Sequence, residues 1–242
     1  MALSFLIILL CLGLGTLIHA RSRSIKREIR RATATTTAEV RQLYSWVSLV
    51  NVLQPRLVLP EPGRWAASAD LLATLHSLVV RERPHRVVEL GGGLTTLVTA
   101  YALERCGLNS EIVSIDHDLH FQALTKQQAG EHQQASRVRF VHAPLEAVGG
   151  WCWYTMNPLA DIADIDLLVV DGPPWGLDGS TRAPAEQLFE RLSNGAWILV
   201  DDANRDAEQS MIDAWCRRYP LLQHVPLPDH QKGACLLRWR AS

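Results

Sequence analysis

Short runs of β-branched and aliphatic residues alternate with longer stretches of mixed polarity through the second half of the chain. Each run is four or five residues long and bounded by polar or turn-forming residues, which predicts strands. We expect strands at 86–90, 111–115, 138–141, 166–170 and 196–200. The stretches between them predict helices at 94–105, 119–130, 182–192 and 206–218. Residues 167–170 and 197–200 are almost entirely apolar, as is typical of strands covered by helices on both faces.

This alternation predicts an α/β domain built on a doubly wound, mostly parallel sheet. Two last extended stretches, 221–225 and 234–239, predict an antiparallel hairpin at its C-terminal edge. An amphipathic stretch at 66–80 predicts one more helix ahead of the first strand. Because Pro55, Pro60 and Pro62 interrupt regular structure before that helix, we place the start of the domain at residue 55, so that it covers 55–242.

The N-terminal residues 2–20 carry no charge and are rich in Leu, Ile and Gly. Nineteen residues form about 28 Å of helix at ~1.5 Å per residue, which just spans a bilayer. We therefore expect a transmembrane helix at 1–20. A cleaved signal peptide is the alternative, although no basic residue precedes the apolar run and Ile18-His19-Ala20 is a poor cleavage site.

Residues 21–54 predict a basic juxtamembrane segment followed by a linking helix. Six basic residues in 21–31 stand against Glu28, a net charge of +5. By the positive-inside rule this segment, and the domain behind it, lie on the cytoplasmic side of a membrane. The segment either binds anionic headgroups or acts only as a topology signal. The threonine-rich stretch 33–37 has the lowest helix propensity within the expected helix.

Charge and composition narrow the classes of function. The formal net charge of −1 leaves −6 for the chain outside 21–31, so the globular part offers no basic face, and we expect no nucleic-acid partner. An apolar content of 48% with 20% charged residues indicates a folded chain. The five cysteines are widely spaced and form no C-x-x-C pair, which favours reduced, buried thiols.

Chemistry-bearing residues gather at the expected carboxyl ends of four strands, where open α/β sheets bind ligands. The first strand runs into Glu89 and a glycine loop, the second into Asp116, the fourth into Asp171 and the fifth into two aspartates. The complete set of loop glycines and terminal aspartates is Gly91, Gly92, Gly93, Asp116, Asp171, Asp201 and Asp202.

The loop and its carboxylates favour a cationic ligand. Three glycines permit positive φ and close approach of a ligand, and the next helix offers backbone amides. A dinucleotide fingerprint needs glycine where Thr96 stands, and Glu89 would repel a pyrophosphate. S-adenosylmethionine instead carries an ammonium and a sulfonium, which Glu89 would attract, and Asp116 can accept hydrogen bonds from both ribose hydroxyls. Alternatively, Glu89 accepts loop amides and Asp116 caps the next helix.

Over roughly 65–239 the chain resembles the class I S-adenosylmethionine-dependent methyltransferases. The resemblance rests on Val88-Glu-Leu-Gly-Gly-Gly, Ile115-Asp116, Val141-His-Ala-Pro, the stretch 166–174 and the strand 195–202. It implies a Rossmann-like seven-stranded sheet, with Glu89, the glycines and Asp171 near the methionine, Asp116 on the ribose, and His117, His142 and Ala143 beside adenine. Alternatively, His142 is a surface group. An aromatic cluster either packs against the sheet or lines an acceptor pocket: Trp151, Trp153 and Tyr154.

Asp171, Asp201 and Asp202 are also candidates for a metal site. Clustered carboxylates repel one another unless they are protonated, hydrogen-bonded or bridged by a cation, and their hard oxygens suit Mg²⁺. The arrangement looks like that of catechol-type and macrolide-sugar O-methyltransferases, which implies a magnesium ion that orients the acceptor hydroxyl. Where catechol-type enzymes place a lysine base this chain has Pro174, so Asp171 and Asp201 are the candidate catalytic groups. Alternatively, the three aspartates only cap helices.

We therefore expect a methyltransferase that uses S-adenosylmethionine and transfers methyl to oxygen, or less readily to nitrogen. Its acceptor is expected to be a small or lipid-linked molecule at the cytoplasmic face of a membrane. An NAD(P)-dependent oxidoreductase is disfavoured by Glu89, Thr96 and the lack of a Tyr-x-x-x-Lys pair. An inactive membrane-anchored scaffold is disfavoured because all four strand ends carry acidic residues that could bind a ligand.

Overall fold

The computed structural model describes residues 2–174, 181–227 and 229–240, with the side chains of all of these except 2–13, 16, 18 and 148. The chain divides into two compact units, Met1–Leu43 and Tyr44–Ser242. Helix α1, Ala2–Leu53, begins in the first unit and ends in the second. The predicted start of the domain at residue 55 falls just after the end of this helix.

Helix α1 continues without a break through the threonine-rich stretch at 33–37. Thr37 Oγ1 donates to the Thr33 carbonyl at 2.8 Å, so a side chain that could compete with the helix instead bonds one turn back. At the other end of α1, Leu49 and Leu53 are buried in the core of the second unit. The helix stops before Pro55, as expected from the restriction that proline places on the preceding residue.

The expected transmembrane anchor at 1–20 is not supported. In the part of the chain that the structure describes, no helix is long and apolar enough to cross a membrane. The side chains of 1–13, 16 and 18, which make up most of the expected span, lie outside the described residues. The backbone of 2–20 is the first part of α1, which continues into the basic segment because no proline interrupts it.

The second unit is built on the predicted doubly wound sheet. Seven strands follow the order β3-β2-β1-β6-β7-β9-β8, with β3, β2, β1, β6 and β7 parallel and β9 antiparallel to both β7 and β8. A separate antiparallel pair is formed by β4 and β5. The strands are β1 Arg86–Leu90, β2 Glu111–Asp116, β3 Val138–His142, β4 Leu145–Val148, β5 Trp151–Tyr154, β6 Ile165–Val170, β7 Leu192–Asp201, β8 Gln223–Val225 and β9 Ala234–Arg238.

Helices cover both faces of this sheet. Along β6, Leu167 and Val169 pack in the core formed with α2 and α3, whereas Leu168 and Val170 pack in the core on the opposite face. This alternation within an entirely apolar run is what a strand buried on both faces requires. The helices are α2 Ala69–Glu82, α3 Leu94–Arg105, α4 Leu119–Glu131 and α5 Asp206–Arg218. A 3₁₀ helix occupies Ala183–Arg191, where an α-helix was expected.

The hairpin of β4 and β5 was not expected from the sequence. Its turn is Gly149-Gly150, with φ of +58° and +88°, and two glycines between short extended runs are a recognised signal for a tight hairpin turn. Within β5, Trp153 and Tyr154 are fully buried, which confirms the packing interpretation for these two aromatic residues. Trp151 is exposed at the start of β5.

The sheet order positions the site. β1 pairs with β2 on one side and with β6 on the other, so the direction of winding changes at β1. The carboxyl ends of these strands therefore open into one crevice, the usual ligand position in such sheets. The loops after β1, β2, β6 and β7 carry the polar residues that the sequence singles out.

Candidate cofactor and acceptor site

The glycine loop after β1 is fixed by close backbone packing. Gly91 has φ of +85°, and its amide donates to the Ile115 carbonyl at 2.9 Å. A Cβ on Gly91 would lie 3.0 Å from the Gly172 nitrogen, in the loop after β6. Gly93, with φ of +141°, stands at the start of α3, and a Cβ on Gly92 would lie 2.5 Å from Ser114 Oγ. All three positions therefore restrict or exclude larger residues.

Glu89 lies buried beneath this loop and is only 1% exposed. Its Oε2 accepts a hydrogen bond from the Thr96 hydroxyl, whereas Oε1 has no partner among the described residues. Burial raises the pKa of Glu89 to about 7, opposed by the hydroxyl groups of Thr95, Thr96 and Ser114. The hydroxyl of Thr96 also accepts from the Gly93 amide at 3.1 Å. Sequence reasoning used Thr96 only to exclude a dinucleotide and missed that it holds Glu89.

Asp116 ends β2 but does not cap the following helix. The cap of α4 is Asp118, whose Oδ1 accepts from the amides of His120 at 2.7 Å and Phe121 at 3.2 Å. Asp116 Oδ1 accepts from the Asp118 amide at 3.0 Å and lies 3.2 Å from His117 Nδ1. The alternative interpretation of Asp116 as the helix cap is therefore wrong, since Asp118 performs that task.

The end of β3 brings the expected adenine-side residues to Asp116. His142 is paired in register with Asp116, and its Nε2 lies 3.1 Å from the His117 carbonyl oxygen. The Ala143 amide donates to the Asp116 carbonyl at 2.9 Å, and Ala143 is fully buried. His142 is partly buried rather than a free surface group. The role of His117, His142 and Ala143 beside adenine stays a prediction.

These groups fit S-adenosylmethionine. An unpartnered, buried carboxylate oxygen on Glu89 can accept from an ammonium group, which satisfies both partners. The tight glycine loop lets a ligand approach the backbone, and Asp116 lies at the adjacent strand end. On these observations Glu89, the glycines and Asp116 are the residues that would hold the cofactor.

The three aspartates at the ends of β6 and β7 do come together. One carboxylate oxygen from each of Asp171, Asp201 and Asp202 lies within 4.8 Å of the other two. Both Asp201 oxygens are buried without a hydrogen-bond partner among the described residues. Burial, followed by repulsion from Asp171 and Asp202, raises the pKa of Asp201 to about 8. Burial also raises the pKa of Asp171, although Arg182 opposes this shift.

Arg182 is the residue at this site that the sequence did not reveal. Its side chain is buried, and Nη2 donates to Asp202 Oδ2 at 3.0 Å and to the Asp171 carbonyl at 2.5 Å. Nη1 donates to the Asp201 carbonyl at 3.0 Å and lies 3.9 Å from Glu208 Oε1. A guanidinium has five donors in a planar fork, which suits this set of acceptors. The pattern of strand-end aspartates implied a counter-charge but could not specify an arginine.

A cavity of about 300 Å³ opens beside the aspartates. Asp171 lines it, and the same residue follows the strand next to the glycine loop, so the cavity adjoins the cofactor side of the crevice. This is the candidate acceptor pocket. Its described lining consists of Arg64, Trp65, Asp171, Pro174, Arg182, Asp202, Arg205 and Lys232.

Comparisons with known proteins agree with this geometry. Residues 88–203 match a family model described as a methyltransferase domain, and that segment runs from β1 to the residue after the paired aspartates. A search of curated protein sequences gives no significant match.

Solved structures of methyltransferases share the fold. The SAH-bound methyltransferase PaMTH1 of Podospora anserina is 16% identical, with a TM-score of 0.58 over 81% of this chain and 88% of that one. The O-methyltransferase TomG of Streptomyces achromogenes, involved in tomaymycin synthesis and solved with SAM, is 17% identical, with a TM-score of 0.56 over 83% and 99%. A Geobacter sulfurreducens methyltransferase is 18% identical, with a TM-score of 0.54 over 82% and 88%.

The doubly wound sheet and the crevice at its carboxyl edge are those of the class I methyltransferase fold. Together with the methyltransferase-domain match over residues 88–203, they support an S-adenosylmethionine-dependent methyltransferase. The family match favours a methyltransferase over the alternative oxidoreductase, and the inactive scaffold stays an alternative prediction.

Proposed function

We propose that this enzyme transfers methyl to a hydroxyl oxygen of a small or lipid-linked acceptor. The observation that carries the proposal is Asp201, whose two carboxylate oxygens are buried and unpartnered among the described residues. They lie close to Asp171 and Asp202, and these two aspartates line the acceptor cavity. A hydroxyl acceptor must lose its proton, and such a carboxylate can take it. The O-methyltransferase TomG shares the fold, which supports the same kind of acceptor chemistry.

Bound S-adenosylmethionine supplies the methyl group in this reaction. Asp201 receives the hydroxyl proton, and Asp171 lies between the cofactor side and the acceptor cavity. Arg182 holds Asp202 in place through its hydrogen bond to Oδ2. Because the reacting carbon and oxygen need mainly to be aligned, positioning by these side chains is the chief contribution of the protein.

The same carboxylates could act through magnesium. Three hard oxygen donors within 4.8 Å fit such an ion, and Asp171, Asp201 and Asp202 would hold it. Bound there, the ion would orient the hydroxyl and make it more acidic. Arg182 already provides one positive charge to the cluster, so the electrostatic need for a metal is smaller than the sequence suggests.

We also place the acceptor at the cytoplasmic face of a membrane, as a proposal that rests on sequence alone. The uncharged stretch 2–20 supports membrane association, and the six basic residues in 21–31 support the orientation. No nucleic-acid partner is proposed, since the chain outside 21–31 is net acidic.

The proposal is tested by methyl transfer from labelled S-adenosylmethionine to matched hydroxyl and amine acceptors, with a membrane lipid extract as a third acceptor pool. We expect labelled methyl ethers, and at least about a hundredfold loss of turnover in Asp201→Asn, as is usual for loss of acid–base help. Asp213→Asn, at an exposed carboxylate on α5, is the matched control. Labelled amines alone, or full turnover in Asp201→Asn, would contradict the proposed chemistry.

A further inference from the structure

The acceptor cavity has an excess of positive charge. Among its described lining residues four are cationic and two are anionic. Arg182 and Arg205 both lie 3.0 Å from Asp202 Oδ2 and are therefore paired. No carboxylate in the described part of the chain lies within ion-pair distance of Arg64 or Lys232, and Lys232 attracts Asp201 only from a longer distance. Both cations can therefore pair with a ligand in the cavity.

Arg64, Trp65 and Lys232 form the rim of the cavity, and hydrogen bonds from Lys232 hold it together. Lys232 Nζ donates to the Arg64 and Ala66 carbonyls, both at 2.8 Å, and so fastens 64–66 to the loop between β8 and β9. In the same loop, the Gln231 amide donates to Asp70 Oδ2 at 2.8 Å. An ammonium group has three donors, and Lys232 uses two of them in these bonds. The third donor remains for a ligand.

Trp65 lies between the two residues that Lys232 holds. It lines the cavity and is nevertheless 93% exposed. Lys232 holds the backbone on both sides of Trp65, and the exposed indole offers a flat apolar face for a ring. The rim therefore combines an aromatic surface with two cations that form no ion pair among the described residues. Asp171 and Asp202 line the cavity together with Arg182.

We propose that the acceptor is a hydroxylated ring compound that carries an anionic group. Arg64 and Lys232 bind the anionic group, Trp65 covers the ring, and the hydroxyl lies toward Asp171 and Asp201. A volume of about 300 Å³ accommodates a single-ring compound. This inference rests on the proposed O-methyl transfer and adds to it the class of acceptor.

The test compares two ligands that differ mainly in charge. The full chain, saturated with S-adenosylhomocysteine, is titrated calorimetrically with 3,4-dihydroxybenzoate and with the neutral 3,4-dihydroxybenzamide. We expect the benzoate to bind about tenfold more tightly at low salt, since charge-assisted hydrogen bonds are roughly twice as strong as neutral ones. The preference should shrink as salt rises, because the rim is open to solvent.

Variants assign the preference to the rim. Arg64→Gln should reduce it to about twofold or less. The guanidinium is exposed and forms no hydrogen bond or ion pair among the described residues, so its loss should leave the fold intact. Lys232→Gln should reduce it as well. Trp65→Ala should weaken both ligands to a similar extent. Arg217→Gln, at an exposed arginine on α5 without an ion pair among the described residues, is the control and should keep the full preference.

The outcomes separate this inference from the proposed function. Binding of S-adenosylhomocysteine and methylation of neutral catechol test the function and do not require an anionic acceptor. Equal affinity for the two ligands, binding of neither, or a preference that survives both Arg64→Gln and Lys232→Gln would overturn the inference, even if neutral catechol were methylated.

Discussion

The guanidinium of Arg182 donates from Nη2 to Oδ2 of Asp202 at 3.0 Å, and both side chains are buried. This pair places a fixed positive charge next to three carboxylates whose oxygens lie within 4.8 Å of one another. The aspartates therefore have a buried counter-charge in Arg182 besides the exposed Arg205, and a divalent ion is an addition to this arrangement rather than its precondition.

Loss of Arg182 should destabilise the fold. Arg182→Gln removes the buried cation of the cluster and leaves Asp202 paired only with the exposed Arg205. Breaking a buried pair in this way costs about 3–5 kcal/mol. Urea denaturation with and without Mg²⁺ measures the effect, with Arg217→Gln as the control at an exposed arginine. We expect Mg²⁺ to restore part of the lost stability, because it replaces the missing charge. A variant as stable as the unmodified protein would show that Arg182 does not hold the cluster.

A magnesium-dependent reaction should respond to chelation. We expect excess chelator to abolish methyl transfer and Mg²⁺ to restore it, since Asp171, Asp201 and Asp202 offer hard oxygen ligands. Asp202→Asn, which keeps an oxygen ligand, should be less damaging to turnover than Asp202→Ala. Undiminished turnover in excess chelator would remove the metal and leave Asp201 acting directly on the acceptor hydroxyl.

Alanine substitutions of Asp116 and Asp118 should affect two different properties, cofactor binding and helix capping. Asp116→Ala should weaken both S-adenosylmethionine and S-adenosylhomocysteine by about 1–3 kcal/mol, through loss of charge-assisted hydrogen bonds to the ribose. Asp118→Ala, which removes the cap of α4, should instead lower stability by about 1 kcal/mol and leave affinity nearly unchanged. Calorimetry and thermal denaturation distinguish the two effects. Equal affinities in the two variants would contradict the ribose assignment.

Glu89 should link stability to pH in the absence of cofactor. Burial raises the pKa of its carboxyl from 4.5 to about 7, so between these values the folded protein retains a proton that the unfolded chain releases. The free energy of unfolding should therefore fall as pH rises from about 4.5 through 7, by about 3 kcal/mol from this group. Glu89→Gln should be the more stable protein at pH 8.

The same substitution should impair cofactor binding. The ionised Glu89 attracts the ammonium of S-adenosylhomocysteine, so affinity should rise with pH through about 7 in the unmodified protein, and Glu89→Gln should lose this part of the dependence. Denaturation and calorimetry across pH 5–9 measure both properties. Identical pH profiles for the two proteins would exclude Glu89 as the titrating group.

Membrane association is tested by fractionation. The full chain should remain with membranes in high salt and alkali if 2–20 anchors it, whereas a chain of residues 21–242 should be released by salt, because a basic patch alone is screened. Release of the full chain by salt would contradict the anchor. A mature protein that begins at Arg21 in a secreted fraction would identify a signal peptide.

Much of the fold could be predicted because its signals are local. Helix α3 has the predicted bounds, 94–105, and β1 has the predicted bounds, 86–90. The hairpin of β4 and β5 was missed although Gly149-Gly150 marks its turn, because four residues are too few to distinguish a strand from other apolar runs by their period. The 3₁₀ helix at Ala183–Arg191 also differs from the expected α-helix, since a three-residue period is hard to distinguish from 3.6 over nine residues.

By itself, the sequence determined the five parallel strands, the C-terminal hairpin and the strand ends at which Glu89, Asp116, Asp171 and Asp201 lie, and its resemblance to methyltransferases indicated the cofactor class. These follow from periodicity and from the rule that parallel strands present their carboxyl ends at one edge. Only the tertiary structure decided that Arg182 joins the aspartates and that Lys232 fastens 64–66 to the acceptor cavity. The physical reason is distance along the chain: Lys232 and Arg64 are 168 positions apart, and no local pattern records a contact that forms only when the sheet and its loops are assembled.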